Sequence, residues 1–249
     1  MATDKKLAQA EMQAKGKPLQ KMFNQVPGRY DYLNRVMTLG MDEMWRKRAI
    51  SYIKASHPQR VMDLGTGTGD MALRMGKMLP ETEITGYDFS APMLAVAKNK
   101  AAERAVPNVA FVEGDAASMP FEDNFFDAIG ISFAFRNMTF KNKNTSLYLQ
   151  EALRVLKPGG QLVAVESSQP KSRFIRYFFH LYLKYIISGI GGRLAGAKGA
   201  YHYLAYSARH FYTTEELTAL LQQHGFNEIT HHQMFLGAAA ITIAKKPED

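Results

Sequence analysis

The chain has no cysteine among its 249 residues, which excludes disulfide staples, thiolate metal ligands and cysteine nucleophiles. It has no run of 18 uncharged apolar residues and no apolar leader followed by a cleavage pattern, so a soluble, intracellular protein is expected. Acidic residues are the minority, 23 against 31 Lys plus Arg, leaving a formal charge of +8. That excess favours anionic partners such as nucleic acid or a phospholipid surface, and is equally what a solvated basic surface without a partner would show. None of the 7 histidines forms a ligand pair. His231 and His232 are adjacent, and in a strand they would point to opposite faces. No metal is expected, and there are no internal repeats.

An apolar fraction of 46% over this length can bury a substantial core. Residues 1–22 are polar and rich in Lys, Gln and Ala, which predicts a loose arm, and residues 23–249 are read as a single domain. Between Tyr30 and Ala55 apolar residues recur at helical spacing, broken near Gly40, which predicts two short helices. From Arg60 onward short apolar strands alternate with helical segments: RVMDLG, a helix from Asp70, EITGYD, SAPMLAVAKNKAAER, VAFVEGDA, FFDAIGISFAF, a helix ending in RVLKPGG, and QLVAVESS. Such alternation predicts a doubly wound α/β fold with a mostly parallel sheet. Ser90 is a candidate N-cap, and Pro158, Gly159 and Gly160 should stop the helix before them. Residues 171–209, rich in aromatics and then glycine, read as an insertion over the sheet. Thr213 and Glu216 form a capping box for the next helix, and FNEITHHQMF and AAAITIAKK close the chain as two strands.

The segment Asp63 to Asp70 reads DLGTGTGD. A strand followed by Gly65, Gly67 and Gly69 and then a helix lets backbone turn sharply and approach a ligand closely. Such a loop alone would suit NAD, FAD or S-adenosylmethionine. Its spacing is GxGxG, not GxGxxG, and Asp63 and Asp70 place two acids around it. A pyrophosphate prefers uncompensated helix amides, so the pattern favours a cationic ligand without phosphate. Asp88 ends the second strand, where a carboxylate can accept ribose hydroxyls, and Asp115 with Ala116 follows the third, where an adenine edge would lie. Each alone reads as a cap or turn residue. Together, at successive strand ends, they read as a site.

At this point the chain resembles a Class I S-adenosylmethionine-dependent methyltransferase, a Rossmann-like fold with seven strands and an antiparallel last one. The resemblance implies S-adenosylmethionine as co-substrate. It implies that Gly65, Thr68 and Gly69 wrap its amino acid and sulfonium portion, that Asp88 holds the ribose, and that Asp115 and Ala116 border the adenine. Asp63, Gly67 and Ser132 complete the implied set. Two further stretches, YDYLNRVMTLGMDEMW (residues 30–45) and RVLKPGGQLVAVESS (residues 154–168), are similar to the motifs of the ubiquinone/menaquinone biosynthesis C-methyltransferases. ISFAFRNMT and AYHYLAYSAR resemble that family's fourth-strand and late tyrosine-rich segments. The chain departs from the family at Asp42 and Glu43, where histidine is frequent, at Thr66, and at Asp115, where asparagine is frequent.

The resemblance implies C-methylation of a prenylated quinol, demethylmenaquinol first, with a methoxy-benzoquinol of ubiquinone biosynthesis as a second acceptor. Methyl transfer from a sulfonium is an in-line displacement in which positioning contributes roughly 7 to 11 kcal/mol. A ring carbon becomes nucleophilic when its phenol loses a proton, which calls for a base or a stabilising positive charge. Arg136, always protonated, is the candidate to stabilise the phenolate or orient a water, with Asn137 beside it. Tyr30 and Tyr203 are candidates to hydrogen-bond quinol oxygens. Glu166 would accept a proton or pair with a nearby cation. In residues 173–191, Arg173, Arg176, His180 and Lys184 recur at helical spacing on an apolar background, as in a helix that lies at a membrane interface or covers a prenyl tail. A cytoplasmic enzyme touching the inner face of a membrane is the resulting expectation. No nucleic-acid partner is expected, because the aromatics cluster on this helix and do not interleave a basic groove. A methyltransferase of nucleic acid or another small molecule, which a steep salt dependence would reveal, and a cofactor-binding protein without turnover are the alternatives.

Overall fold

The computed structural model describes Arg35 and residues 38–191 and 198–248. The terminal arm, the first of the two expected helices and Tyr30 lie outside the described residues. A seven-stranded sheet runs in the order β3-β2-β1-β4-β5-β7-β6, with β1 Arg60–Leu64, β2 Glu83–Asp88, β3 Val109–Glu113, β4 Phe126–Ser132, β5 Leu156–Ser167, β6 Asn227–Met234 and β7 Ala239–Lys245. The first five strands pair in parallel, and β7 runs antiparallel to both neighbours. The helices are α1 Asp42–Ala55, α2 Asp70–Met78, α3 Ala91–Glu103, α4 Phe135–Thr139, α5 Thr145–Val155, α6 Arg173–Leu181, α7 Lys198–Arg209 and α8 Thr214–Gln223.

Two apolar layers explain why the sheet is buried. On one face Trp45, Ile50 and Ile53 of α1 and Met71 and Met75 of α2 pack on Val61, Ala128 and Val163. On the other, Leu149 and Ala152 of α5 and Leu217 and Leu221 of α8 pack on Phe126, Ile129 and Leu162. Each fully buried Ile or Leu contributes about 1.5–3 kcal/mol, and parallel strands covered on both faces read as apolar runs, which is how they appear in the sequence. His231 and His232 do face opposite ways: His231 bonds Thr218 of α8, and His232 stacks on Tyr52 of α1 at 4.5 Å.

Helix α5 stops at Val155, ahead of Pro158, but LKPGG belongs to β5 because Leu156 already pairs with Phe126. The capping box of α8 is present in both directions, Glu216 N to Thr213 Oγ1 at 3.2 Å and Thr213 N to Glu216 Oε2 at 2.8 Å. Ser90 holds the N-cap position of α3 without a side-chain capping bond.

Residues 171–191 turn their polarity around. Arg176 Nε donates to the Pro170 carbonyl at 2.8 Å and His180 Nε2 bonds Gln169 Oε1 at 2.9 Å, so these two members of the basic stripe point into the protein. Phe174, Tyr177 and Phe178 are exposed instead. Helix α6 continues as a π-helical segment, Tyr182–Gly191, whose Leu183 and Ile187 pack on Leu204, Ala205 and Ala208 of α7.

Candidate functional site

The carboxyl ends of β1, β2, β3 and β4 lie side by side, Leu64 against Tyr87 and Asp88 against Glu113, the edge at which open parallel sheets hold ligands. A cavity of about 480 Å³ opens there, and Gly65, Gly67, Asp88, Asp115, Ala116 and Asn137 are among its lining residues. Three carboxylates, Asp88, Glu113 and Asp115, face it with no Lys, Arg or His among the lining side chains. That donor set accepts hydroxyls, amines and cations and disfavours phosphate. It fits S-adenosylmethionine.

The loop is shaped for close approach. Gly65 has φ +72°, and a Cβ on it would meet the Ala134 Cβ at 2.7 Å. Gly69 has φ +82°, and a Cβ there would meet Ala97 of α3 at 2.9 Å, so this glycine serves helix packing. Asp88 ties the loop down, Oδ2 accepting from Gly67 N and Oδ1 from Ser90 N, both at 2.9 Å. Burial raises its pKa from the ordinary carboxylate value, and these amides oppose the shift.

The two acids flanking the loop turn away from the cavity. Asp70 pairs with Lys100 of α3 at 2.9 Å, and the same ammonium donates to Thr68 Oγ1 at 3.1 Å. Asp63 lies beneath the loop, Oδ2 accepting from Thr66 Oγ1 at 2.6 Å and Ala72 N at 2.9 Å, with no hydrogen-bond partner for Oδ1 among the described residues. Desolvation pushes its pKa up to about 7, against the pull of Thr66, Ala72 and Arg46. Asp63, Thr68, Gly69 and Ser132 therefore do not line the cavity, and the negative lining comes from Asp88, Glu113 and Asp115. Glu113 was missed in the sequence although it is the last residue of its strand, the same signal that marked Asp88. A carboxyl whose folded pKa lies above its unfolded value favours folding below the unfolded value and loses that contribution as pH rises through the folded one. Asp63→Asn is expected to flatten the fall in unfolding free energy between about pH 4 and pH 7, read by urea denaturation across that range; an unchanged profile refutes it.

Ser132 serves a different network. Its Oγ accepts from Arg46 Nε at 2.9 Å, while Arg46 Nη1 donates to Asp42 Oδ2 at 2.6 Å, with both charged side chains about 95% buried. The guanidinium also lies 5.2 Å from the Phe133 ring centroid. Asp42 thus neutralises a buried arginine under the β4 end. Asp42→Ala strands that charge and is expected to cost about 3–5 kcal/mol, measured as a lower denaturation midpoint. Adding Arg46→Met should recover most of the loss, and equal stability of Asp42→Ala and wild type would refute the assignment.

Helix α4 contributes to the lining of both this cavity and a second chamber. Asn137 faces the first, whereas Arg136 faces an apolar chamber of about 370 Å³ walled by Trp45, Phe133, Phe174, Phe178, Phe179 and Leu236 among others. Arg136 is 2% exposed, donates from Nη1 to Glu166 Oε1 at 2.8 Å and, in a short bond, to Ser167 Oγ, and leaves Nε without a hydrogen-bond partner among the described residues. Glu166 Oε2 further accepts from Arg136 N at 3.1 Å. Of the two readings for Glu166, pairing with a cation is the one present in the structure. Tyr203 Oη reaches Asn137 Oδ1 at 3.5 Å, and desolvation raises its pKa with Arg136 opposing. Arg136, Asn137, Tyr203 and Glu166 are thus brought together.

This architecture has the Class I methyltransferase fold. A Thermotoga maritima S-adenosylmethionine-dependent methyltransferase, a possible histamine N-methyltransferase, superposes with TM-score 0.62 at 19% identity, covering 91% of this chain and 98% of that one. An Aquifex aeolicus methyltransferase of the same dependence gives 0.53 at 18%, covering 75% and 81%. The sequence narrows the class. Residues 11–246 match the ubiE/COQ5 methyltransferase family, and the chain belongs to it. The demethylmenaquinone methyltransferase of Thermus thermophilus is 39% identical over 91% of this chain and 100% of its own. The ubiquinone/menaquinone biosynthesis C-methyltransferase UbiE of Geobacter sulfurreducens is 36% identical over 98% and 94%. The protein is an enzyme, a methyltransferase.

Proposed function

We propose that the enzyme transfers a methyl group from S-adenosylmethionine to a ring carbon of a prenylated quinol, demethylmenaquinol first, with a 2-methoxy-6-prenyl-benzoquinol as a second acceptor. The observation that carries this reading is the pairing of two unlike cavities that share α4 in their lining: a carboxylate-lined glycine-loop cavity, and an apolar chamber ending on the buried Arg136–Glu166 pair. The names of the Thermus and Geobacter relatives support the acceptor class. When bound, the co-substrate supplies an electrophilic methyl on a sulfonium. Gly65 and Gly67 give it backbone approach, Asp88 accepts ribose hydroxyls, and Asp115 and Ala116 border the adenine. Asp63, Thr68 and Gly69 hold the loop from behind, and Ser132 fixes the end of β4 through Arg46.

On the acceptor side, the Arg136 charge, held in place by Glu166, stabilises the phenolate. Asn137, which lines the co-substrate cavity next to Arg136, orients the ring oxygens where the two cavities meet, Tyr203 fixes Asn137 by donating to its Oδ1, and Tyr30 is assigned to the ring oxygens on the strength of the family resemblance. The Phe174, Phe178 and Phe179 rings cover the apolar tail. Residues 171–209 thus act as a lid on the single domain formed by residues 23–249. No helix among the described residues is long and apolar enough to cross a membrane, so contact with the cytoplasmic face of a membrane would be peripheral, through residues 173–191.

Transfer of labelled methyl from S-adenosylmethionine to reduced demethylmenaquinol and, in parallel, to the reduced prenylated methoxy-benzoquinol tests the reading. Label on a quinol ring carbon is expected. Label on neither, with the co-substrate bound, would refute the acceptor assignment.

A further inference from the structure

Three bulky apolar residues carry left-handed backbone in this structure and are also exposed: Leu39 at φ +54°, Phe235 at +45° and Leu236 at +57°. Left-handed backbone is disfavoured for such side chains, and strain of this kind persists where the surroundings enforce it. Leu39 precedes α1, whereas Phe235 and Leu236 form the corner between β6 and β7. Although almost two hundred residues apart in the chain, all three line the apolar chamber, together with Phe174 and Phe178. Leu236 and Phe174 are each 72% exposed and Leu39 is 60% exposed, so the chamber is rimmed by apolar side chains that face outward.

We infer that this rim is a docking surface for an anionic lipid bilayer, through which a lipid acceptor passes into the chamber without crossing water; the inference deepens, and rests on, the prenylated-quinol reading. Charge selects the occupant. Lys171, Arg173 and Lys184 are exposed on the segment that carries Phe174 and Phe178, and the chain as a whole carries +8. Apolar tips inserted among headgroups, with cations beside them, are what an anionic interface binds. A patch meant for a second copy of this chain would bring those like charges together.

Trp45 is the only tryptophan and lines the same chamber, so the protein carries its own probe. Full-length protein is mixed with vesicles of phosphatidylcholine containing phosphatidylglycerol, or of phosphatidylcholine alone, and partition is read by co-sedimentation. Bromine on the acyl chains then reports, by quenching of Trp45 fluorescence, whether the chamber mouth faces the bilayer. Expected are partition favouring the anionic vesicles, quenching by the brominated lipid, and a fall of about tenfold in partition for each of Leu236→Ser and Phe174→Ser, the ratio that about 1.4 kcal/mol produces. Both positions are exposed, and a far-ultraviolet spectrum matching wild type confirms that the variants fold. Wild-type partition no greater than in vesicle-free controls, or partition unmoved by either substitution, overturns the surface. Self-association in solution that the same substitutions abolish, without vesicle binding, overturns it in favour of a second copy. Turnover is not needed for this readout: methyl transfer to detergent-dispersed quinol without vesicle binding overturns the surface and leaves the reaction standing, whereas binding without transfer supports the surface and counts against the reaction.

Discussion

Replacing Asp88 by alanine should weaken S-adenosylmethionine binding at least a hundredfold, measured by calorimetric titration of the folded variant. Two contributions combine. The carboxylate faces the cavity where the ribose hydroxyls would donate, and it simultaneously accepts from Gly67 N and Ser90 N at 2.9 Å. Hydrogen bonds to a charged group are worth about 1.5–3 kcal/mol each, so losing the ribose contacts alone accounts for a loss on the order of 10²-fold or more. The glycine loop also loses its anchor, which adds an ordering cost at the moment of binding. Asp88→Asn should fall between the two proteins, because its amide oxygen can still accept from Gly67 while its NH₂ opposes the Ser90 amide. An alanine variant that binds within threefold of wild type would remove Asp88 from the site.

Gly65, Gly67, Asp88, Asp115 and Ala116, which line the glycine-loop cavity, were legible in the sequence because their signals are local. EITGYD is the observed strand β2 residue for residue, with Asp88 ending that strand and Asp115 following β3 as the alternation of apolar runs and glycines indicated. Orientation was not legible. The acids at Asp63 and Asp70 looked like walls of a cavity, but one pairs with Lys100, 30 residues away, and the other caps the helix from beneath. The bond from Arg46 to Ser132 spans 86 residues and depends on α1 packing across the β4 end, which no periodicity encodes. The basic stripe of residues 173–184 had helical spacing, yet spacing is silent about which face looks inward. Here Gln169 and the Pro170 carbonyl supply partners for His180 and Arg176, so these two turn inward while Arg173, Lys184, Phe174 and Phe178 stay exposed. The apolar chamber is assembled from segments spread between Thr38 and Ala239 and has no sequence signature at all.

Arg136→Lys should leave S-adenosylmethionine affinity near wild type and lower kcat by roughly 10²–10³, the loss seen when one donor to a developing oxyanion is removed. The substitution keeps a charge at the position but not the fork. The arginine engages Glu166 and Ser167 through Nη1, and its planar charge lies in the chamber wall. A lysine that satisfies Glu166 has its single ammonium drawn to that carboxylate, and the phenolate is left without a donor. The acceptor's phenol then ionises at higher pH when bound, because the positive charge that favours its anion has moved away. The kcat profile of the variant should therefore shift toward alkaline pH, with the deficit narrowing as pH rises. A structural role for the Arg136–Glu166 pair predicts otherwise: a lower melting temperature, with a loss of activity that is constant across pH. Arg136→Met separates the cases further, since it strands the buried Glu166 carboxylate and should lower stability by about 3–5 kcal/mol. A lysine variant with kcat within twofold of wild type, at unchanged pH dependence, would take Arg136 out of the chemistry and leave Glu166 as its structural partner only.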